Sequence, residues 1–395
     1  MKKRNVLLTF SLAALAVSLL AVPGAAVKDK KVEKPVYVFK TVHEVKCTPV
    51  KDQYHTGTCW CFATVSFLEA ELLRLGKGEF DLSEMFVVRH TYPKKALNYV
   101  QMHGNAVHQQ GGQAHDVIDQ VREFGIVPEE VYSGMNIGEK RHNHGEMAAV
   151  LQAVADAVLK RDGTRLTPRW LEAYEAVLDA YLGKIPAEFS WQGRSCTPKT
   201  FAAEVLGLQL GDYIELTSYE QHPFYRQCRL EIPDNWTYNR NYYNLPIDEL
   251  EAAVERALEN GYSVVWDGDV SEKDFSTRET GYALVPEKDW EDKNVAEREK
   301  KPTAPVKEKE VTQALRSKTL SDFSTTDDHL MHIVGLAQDQ TGARFYLVKN
   351  SGGTDRKYDG YVYMSRPYFS LKTTALMVNK NSLSPELRAK LGIRP

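Results

Sequence analysis

Apolar residues recur at helical spacing through the first half of the chain. Between residues 59 and 75 they stand three or four positions apart, and Gly76 ends the run. This spacing predicts a helix, because such residues share one face of a 3.6-residue period. The same pattern predicts five further helices, at 82–90, 114–124, 149–159, 170–182 and 247–260.

Short apolar runs separated by turn residues dominate the second half. They predict six strands, at 213–216, 262–266, 332–338, 343–350, 360–365 and 374–379. Residues 27–45 also have an extended pattern, in which Val and Lys alternate. The chain therefore runs from helix-rich to strand-rich, which is typical of an α+β fold with two lobes.

The N-terminus has the pattern of a secretory signal. Lys2, Lys3 and Arg4 precede an apolar run of about 17 residues, and small residues follow at 23–26. A membrane anchor is the alternative, but the run is short and a lysine-rich stretch follows it. We expect a signal peptide at 1–26 and an exported mature chain, periplasmic or extracellular. No later segment is apolar for long enough to span a membrane.

Charge and cysteine content narrow the functional classes. The chain has 50 basic and 53 acidic residues, and losing the three basic residues of the signal makes it more acidic still. This balance argues against nucleic acid as a partner. The five cysteines are an odd number for an exported protein, which indicates one free thiol and leaves two disulfides open. They are Cys47, Cys59, Cys61, Cys196 and Cys228.

Cys59 has the position that a nucleophile needs. It begins the first predicted helix, where unpaired N–H groups and the helix dipole favour a thiolate. Cys61 lies about 200° further around the same helix, so it faces another wall and is assigned a structural role. A thiolate also needs a base and an oxyanion donor. His329 and His332 are the candidate bases. A disulfide oxidoreductase using Cys59 and Cys61 is a further class, but the two cysteines are separated by one residue rather than the usual two.

The segment QYHTGTCWCFA, residues 53–63, resembles the active-site segment of papain-like cysteine proteases. In HLMHIVGLA the family's catalytic histidine stands six residues before a glycine, which selects His329 over His332. NSGG resembles the family's Asn-Ser-Trp-Gly block and gives Asn350. A metal site at the two histidines lacks an evident third ligand, and the resemblance implies no cofactor.

Within the papain-like proteases, the chain resembles the subfamily of bleomycin hydrolases and bacterial aminopeptidase C. The 270 residues between Cys59 and His329 leave room for their large insertion, and residues 213–236 and 263–275 resemble their central segments. The resemblance implies a papain-like domain over 27–395, with a helical lobe, an antiparallel β-barrel-like lobe and a mostly helical insertion at about 138–215. The charged stretch at about 287–310 is expected to be a solvated, mobile loop.

The resemblance also implies a site and an activity. The activity is a thiol-dependent peptidase acting on peptides, most plausibly an aminopeptidase, with a hexameric ring as its assembly. The roles are these: nucleophile Cys59, base His329, histidine-orienting Asn350, oxyanion donor Gln53, and substrate-backbone contacts Gly111 and Gly112.

Two features leave alternatives open. The tail at 384–395 resembles the arm whose terminal carboxylate, in aminopeptidase relatives, holds the substrate's amino group. If the tail of this chain does not reach the cleft, an endopeptidase is the alternative. Gly352 stands where the family has a tryptophan that covers the histidine–asparagine pair, and Trp266 is a candidate to cover the gap. A weakly active or inactive peptide-binding protein is therefore a further alternative.

Overall fold

The computed structural model of the chain describes residues 36–163, 165–299 and 302–394. The predicted signal peptide at 1–26 lies outside these residues. The helices are α1 (Cys59–Arg74), α2 (Glu84–Gln101), α3 (Ala114–Phe124), α4 (Gly145–Leu159), α5 (Arg169–Leu182), α6 (Pro198–Thr200), α7 (Ile247–Glu259), α8 (Val295–Glu299), α9 (Gln313–Ser321), α10 (Arg366–Lys372) and α11 (Pro385–Leu391). None of the described helices is both long and apolar enough to cross a bilayer.

The strands concentrate in the second half, as the sequence predicts. They are β1 (Lys40–Glu44), β2 (Phe189–Trp191), β3 (Arg194–Cys196), β4 (Tyr213–Thr217), β5 (Arg226–Cys228), β6 (Tyr242–Asn244), β7 (Val264–Gly268), β8 (Phe275–Ser276), β9 (Tyr282–Ala283), β10 (His329–Gln338), β11 (Arg344–Lys349), β12 (Tyr361–Ser365) and β13 (Thr373–Asn379). Strands β2 and β3 form a separate hairpin, and the others form one sheet.

Most neighbouring strands of the large sheet are antiparallel, and β4–β6 and β9–β12 are parallel pairs. Strand β10 lies at its centre, because residues 329–333 pair with β7 while its second half pairs with β1 and β11. The predicted α+β class, with a helical lobe and a β lobe, is confirmed. The sheet order is β5-β6-β4-β13-β7-β10-β11-β12-β9-β8, with β1 on β10.

Helix α1 lies between the two lobes and is buried on all sides from Cys59 to Leu72. Its apolar residues join the core of the helical lobe, which Leu330 of β10 and Met377 of β13 complete from the sheet. A helix that is buried all round is fixed by contacts on every face. The residue that begins α1 is therefore held in place by both lobes.

The second helix is longer than its pattern predicts. The prediction ended at His90, whereas α2 continues to Gln101 through Pro93. A proline inside a helix removes one backbone hydrogen bond, which is why a sequence argument stops before it. Here Ala96 and Val100 are buried beyond the proline, so tertiary packing carries the helix onward.

The two segments singled out in the sequence have ordered contacts. Within 138–215, α4 and α5 pack on α2, and Arg89 of α2 pairs with Asp179 at 2.8 Å. Within 287–310, the Glu308 carboxylate accepts hydrogen bonds from Val285 N at 2.8 Å and from Ser365 Oγ at 2.6 Å. The assignment of the first as an insertion and of the second as a mobile loop stays a prediction.

Burial raises the pKa values of several carboxyl groups, because it disfavours their charged forms. The pKa is raised to about 7 in Glu84, Asp267 and Glu308 and to about 8 in Glu129. Near neutral pH the folded protein therefore holds protons on groups that are ionised in the unfolded chain. A stability that depends on bound protons is lost as the pH rises through the folded-state pKa values.

We expect the melting temperature to fall by at least about 3 °C between pH 6.5 and pH 8.5. His90 and His144, whose pKa values burial lowers to about 4, oppose this trend mainly at the acidic end of this range and below it, where the unfolded chain protonates them. Differential scanning calorimetry across this range measures the slope. Glu129→Gln should flatten it, and a melting temperature that rises with pH would contradict the prediction.

Candidate active site

Cys59 is held at the junction between a loop and α1. Gly57 N donates to Gln110 Oε1 at 3.0 Å, and Trp60 Nε1 donates to Gln110 O at 3.0 Å. A Cβ on Gly57 would lie 2.9 Å from that of Gln110, so glycine permits this close approach. Cys59 is only 8 % exposed, yet it lines a cavity of about 650 Å³. We call this space the active-site cavity.

Burial and hydrogen bonding act on the Cys59 sulfur in opposite directions. Burial raises the pKa of the thiol to about 12, and the backbone N–H groups of Leu330 and Trp60 lower it by donating to the sulfur. Leu330 follows His329 in the chain, so the sulfur lies against the beginning of β10. The start of α1 also places unpaired N–H groups beside it.

His329 and Asn350 are paired, as the resemblance implies. The histidine Nε2 lies 2.8 Å from Asn350 Oδ1, which also accepts from Ser351 N at 2.7 Å. Because this oxygen only accepts, Nε2 carries the hydrogen and Nδ1 is the basic nitrogen of the neutral ring. Asn350 therefore fixes both the orientation and the tautomer of His329.

Burial also lowers the pKa of His329, and the hydrogen bond to Asn350 opposes that shift. Taken alone, burial disfavours both a thiolate at Cys59 and an imidazolium at His329. Moving the proton from sulfur to ring creates two opposite charges together, whose attraction offsets part of that cost. The thiolate–imidazolium pair stays a prediction.

Replacing Asn350 by alanine should lower kcat/KM by about 10- to 100-fold. This is less than the roughly 10²- to 10⁴-fold contribution of an acid–base group itself, because the ring remains but loses its fixed tautomer. The pH profile of kcat/KM should shift as well, since His329 loses the bond that raises its pKa. Asn381→Ala, at an exposed site, is the control and should leave both quantities unchanged.

Gln53 is fixed between the two segments of the site. Its backbone N donates to Ser351 O at 2.9 Å, and its Nε2 donates to Thr56 O at 2.8 Å. Its Oε1 accepts from Ser351 Oγ. One hydrogen of the amide is engaged and the second remains for an oxyanion, so the oxyanion role stays a prediction.

The two glycines have different surroundings. Gly111 lines the active-site cavity, and a Cβ at this position would overlap the carboxylate of Asp234. Gly112 is buried, and a Cβ there would lie 2.8 Å from Asp116 Oδ2 and 3.1 Å from Trp60. The contact of both glycines with the substrate backbone stays a prediction. The Asp234 carboxylate lies beside Gly111, so it would also be close to a substrate bound there.

Trp266 is not among the nearest neighbours of Gly352, and its covering of the His329–Asn350 pair stays a prediction. Trp266 is fully buried in the β lobe, and its Nε1 donates to Thr373 Oγ1 at 2.8 Å. The nearest group is Arg356, whose Nε would lie 3.8 Å from a Cβ on Gly352. This arginine also pairs with Asp355 at 2.6 Å. A guanidinium therefore lies where the resemblance leads us to expect an indole.

The other candidates of the sequence are structural. His332 is 1 % exposed and its Nδ1 lies 2.9 Å from Ser66 Oγ. The Cys61 thiol donates to Glu84 O at 3.3 Å, and all five cysteines are free thiols. Among the described residues, no group of three or more His, Cys, Asp or Glu side chains could hold a metal ion.

Sequence reasoning missed the charged groups of the active-site cavity. Lys95, Asp234 and Asp328 all line it with Cys59. Asp328 directly precedes His329, so its position was visible in the sequence. Lys95 and Asp234 are far from Cys59 and from His329 along the chain, and only the folded structure brings them together.

Two family models match the chain in adjoining parts. The peptidase C1-like family model matches residues 188–395, more than half of the chain, and the papain family cysteine protease model matches residues 38–160. The chain belongs to the peptidase C1-like family. Cys59 lies in the part that matches the papain family model, and His329 and Asn350 lie in the part that matches the peptidase C1-like model. The chain is a cysteine-type peptidase of papain-like fold.

Relatives of this peptidase share its length at low identity. Aminopeptidase G of Lactobacillus delbrueckii subsp. lactis is 22 % identical, over 91 % of this chain and 86 % of its own. Cysteine proteinase 1, mitochondrial, of Saccharomyces cerevisiae strain JAY291 is 24 % identical, over 89 % and 79 %. The crystal structure of PepW from Lactobacillus rhamnosis HN001 has a TM-score of 0.69 at 20 % identity, over 89 % and 84 %. The last similarity concerns the fold.

Proposed function

We propose that this peptidase is an exported aminopeptidase that removes N-terminal residues through an acyl-enzyme on Cys59. The observation that supports it most is the His329–Asn350 pair at the start of β10. The same strand places Leu330 N–H against the Cys59 sulfur. A nucleophile, a base with a fixed tautomer and an orienting amide are the groups that acyl transfer requires.

In the proposed reaction, the Cys59 thiol passes its proton to Nδ1 of His329 and the sulfur attacks the scissile carbonyl. The oxyanion accepts hydrogen bonds from Cys59 N–H and from the second hydrogen of Gln53 Nε2. His329 then gives its proton to the leaving amine. A water molecule, deprotonated by His329, attacks the thioester and releases the acid.

The aminopeptidase assignment rests on the names of the relatives, which include aminopeptidase G and aminopeptidase C of Listeria monocytogenes. Hydrolysis of aminoacyl fluorogenic amides and of their N-acetylated counterparts tests it. We expect cleavage of the free-amino set alone. Preference for the acetylated set would establish an endopeptidase, and no cleavage of either by folded protein would favour a peptide-binding protein.

Export is proposed from the sequence pattern at 1–26. Expression of the full chain in a bacterial host, followed by fractionation and N-terminal sequencing, tests it. We expect a periplasmic or secreted product that begins near residue 27. A full-length product that stays with the cytoplasm would contradict export without bearing on catalysis. A ring-shaped hexamer is also proposed, on the family resemblance alone, and light scattering on the purified protein measures the assembly.

A further inference from the structure

One carboxylate of the active-site cavity lies beside Gly111. Asp234 lines the active-site cavity with Cys59, and its carboxylate lies against the bare α-carbon of Gly111. Among the acidic groups of the described chain, Asp234 is the one that acts most strongly on the Cys59 thiol, raising its pKa. The cavity therefore has a negative charge close to its nucleophile, which by itself hinders the formation of a thiolate.

The loop that carries Asp234 is fixed on both sides. Asn235 Nδ2 donates to Leu230 O at 2.9 Å and to Asn239 O at 3.0 Å. Trp236 Nε1 donates to the buried carboxylate of Asp116 at 2.9 Å. The position of the carboxylate is thus set before any ligand binds.

The Asp234 carboxylate accepts no hydrogen bond from a side chain or backbone group of the described residues. Lys95 is close enough to lower the pKa of Asp234, but its ammonium group donates to Gly111 O and lies beyond ion-pair distance of the carboxylate. Burial raises the pKa of Asp234. A partly buried carboxylate that lacks donors and faces a cavity is suited to a cationic ligand group.

The α-amino group of a peptide's first residue is a cationic group close to the reacting carbonyl. It lies two covalent bonds, about 2.5 Å, from the carbonyl carbon that the sulfur attacks. A carboxylate beside the nucleophile can therefore hold the ammonium group while the carbonyl reacts. If the amino side of the substrate runs along Gly111, as the family resemblance implies, a further residue there would meet Asp234.

We propose that Asp234 recognises the free α-amino group of the substrate and excludes residues beyond it. This inference rests on the proposed aminopeptidase function and names the residue that enforces it. Binding of the ammonium group also neutralises the charge that opposes the Cys59 thiolate. The correct substrate therefore helps to activate the nucleophile, and an N-acetylated substrate does not.

The test compares wild type with Asp234→Asn on alanyl and leucyl fluorogenic amides and on their N-acetyl forms. We expect kcat/KM for the free-amino amides to fall by about 30-fold or more, mainly through KM, because a buried charged partner is lost. Activity on the acetylated forms should stay equal or rise, so that the selectivity collapses. Asp119→Asn, at an exposed position of α3 outside this cavity, is the control and should change the selectivity by less than about threefold.

A second readout does not need turnover. Iodoacetamide should alkylate Cys59 faster in Asp234→Asn than in wild type at pH 7, because removal of the charge lowers the thiol pKa. This rate measures the effect of the Asp234 charge on the sulfur, whereas the substrate selectivity decides its role in recognition. An unchanged rate, with melting temperatures equal, would contradict the claim that the bound ammonium group helps to activate the nucleophile.

The outcomes separate this inference from the function beneath it. Wild type that prefers acetylated substrates would contradict the aminopeptidase function itself. If wild type and Asp234→Asn are both selective for free-amino substrates, only the role of Asp234 is overturned.

The described residues of the tail lie on the β lobe, where Leu387 and Leu391 join its core. If a variant lacking residues 393–395 loses selectivity while Asp234→Asn keeps it, the tail is the anchor instead.

Discussion

Replacement of Cys59 by alanine should lower kcat for aminoacyl amides by at least about 10⁴-fold. The Cys59 sulfur lines the active-site cavity and is the proposed acyl-enzyme nucleophile, and without it the His329–Asn350 pair has no thiol there to deprotonate. KM should change little, because the cavity keeps its charged groups. Steady-state kinetics on purified variants with equal melting temperatures measures the effect.

Cys61→Ala is the matched control. Cys61 is a buried thiol two residues further along the same helix, and its sulfur faces Glu84 O rather than the active-site cavity. We expect its activity per folded molecule to stay within about threefold of wild type, with a lower melting temperature from the lost packing. Equal loss of activity in both variants, or full activity in Cys59→Ala, would contradict the assignment of the nucleophile.

Replacement of Lys51 by methionine should destabilise the protein by about 3 kcal/mol at pH 8. Lys51 Nζ lies 3.0 Å from Glu69 Oε1 and 2.8 Å from Glu84 Oε1, and both carboxylates are buried. Burial lowers the pKa of Lys51, but Glu84 and Glu69 raise it well above its ordinary value. Removing the cation leaves two buried carboxylates without their shared partner.

The loss should be smaller at pH 5.5, because Glu84, whose pKa is about 7 in the folded protein, is then protonated. Urea unfolding at the two pH values measures the difference. Lys318→Met removes an exposed lysine paired with Asp322 and should change little. A loss at Lys51 no larger than that at Lys318 would show that the buried carboxylates do not depend on the lysine.

The elements that place the nucleophile could be predicted from the sequence, because their signals are local. The apolar spacing after Cys59 and the stop at Gly76 predict α1, and α3 has the predicted bounds. The family resemblance of two short motifs, at the start of β10 and the end of β11, implies His329 and Asn350. Each of these residues is defined by neighbours a few positions away.

The features of the site that the sequence did not predict depend on contacts between distant segments of the chain. Asp234 reaches the cavity because its loop packs against α3, and Arg356 lies beside Gly352 through a turn that no periodicity predicts. The pairing of β7 with β10 and β13 places Trp266 in the core of the β lobe, and Gly352 has Arg356 as its nearest neighbour. Only the fold decides which of two chemically suitable side chains faces the site.

The acyl-enzyme itself is the most direct test. The protein is mixed with an aminoacyl ester, quenched in acid during turnover, and digested, and the peptide that contains Cys59 and Cys61 is sequenced by mass spectrometry. We predict that the aminoacyl mass is found on Cys59, and that it is absent when His329 is replaced by alanine. Steady hydrolysis with no adduct, or an adduct on Cys61, would contradict a mechanism through the Cys59 thioester.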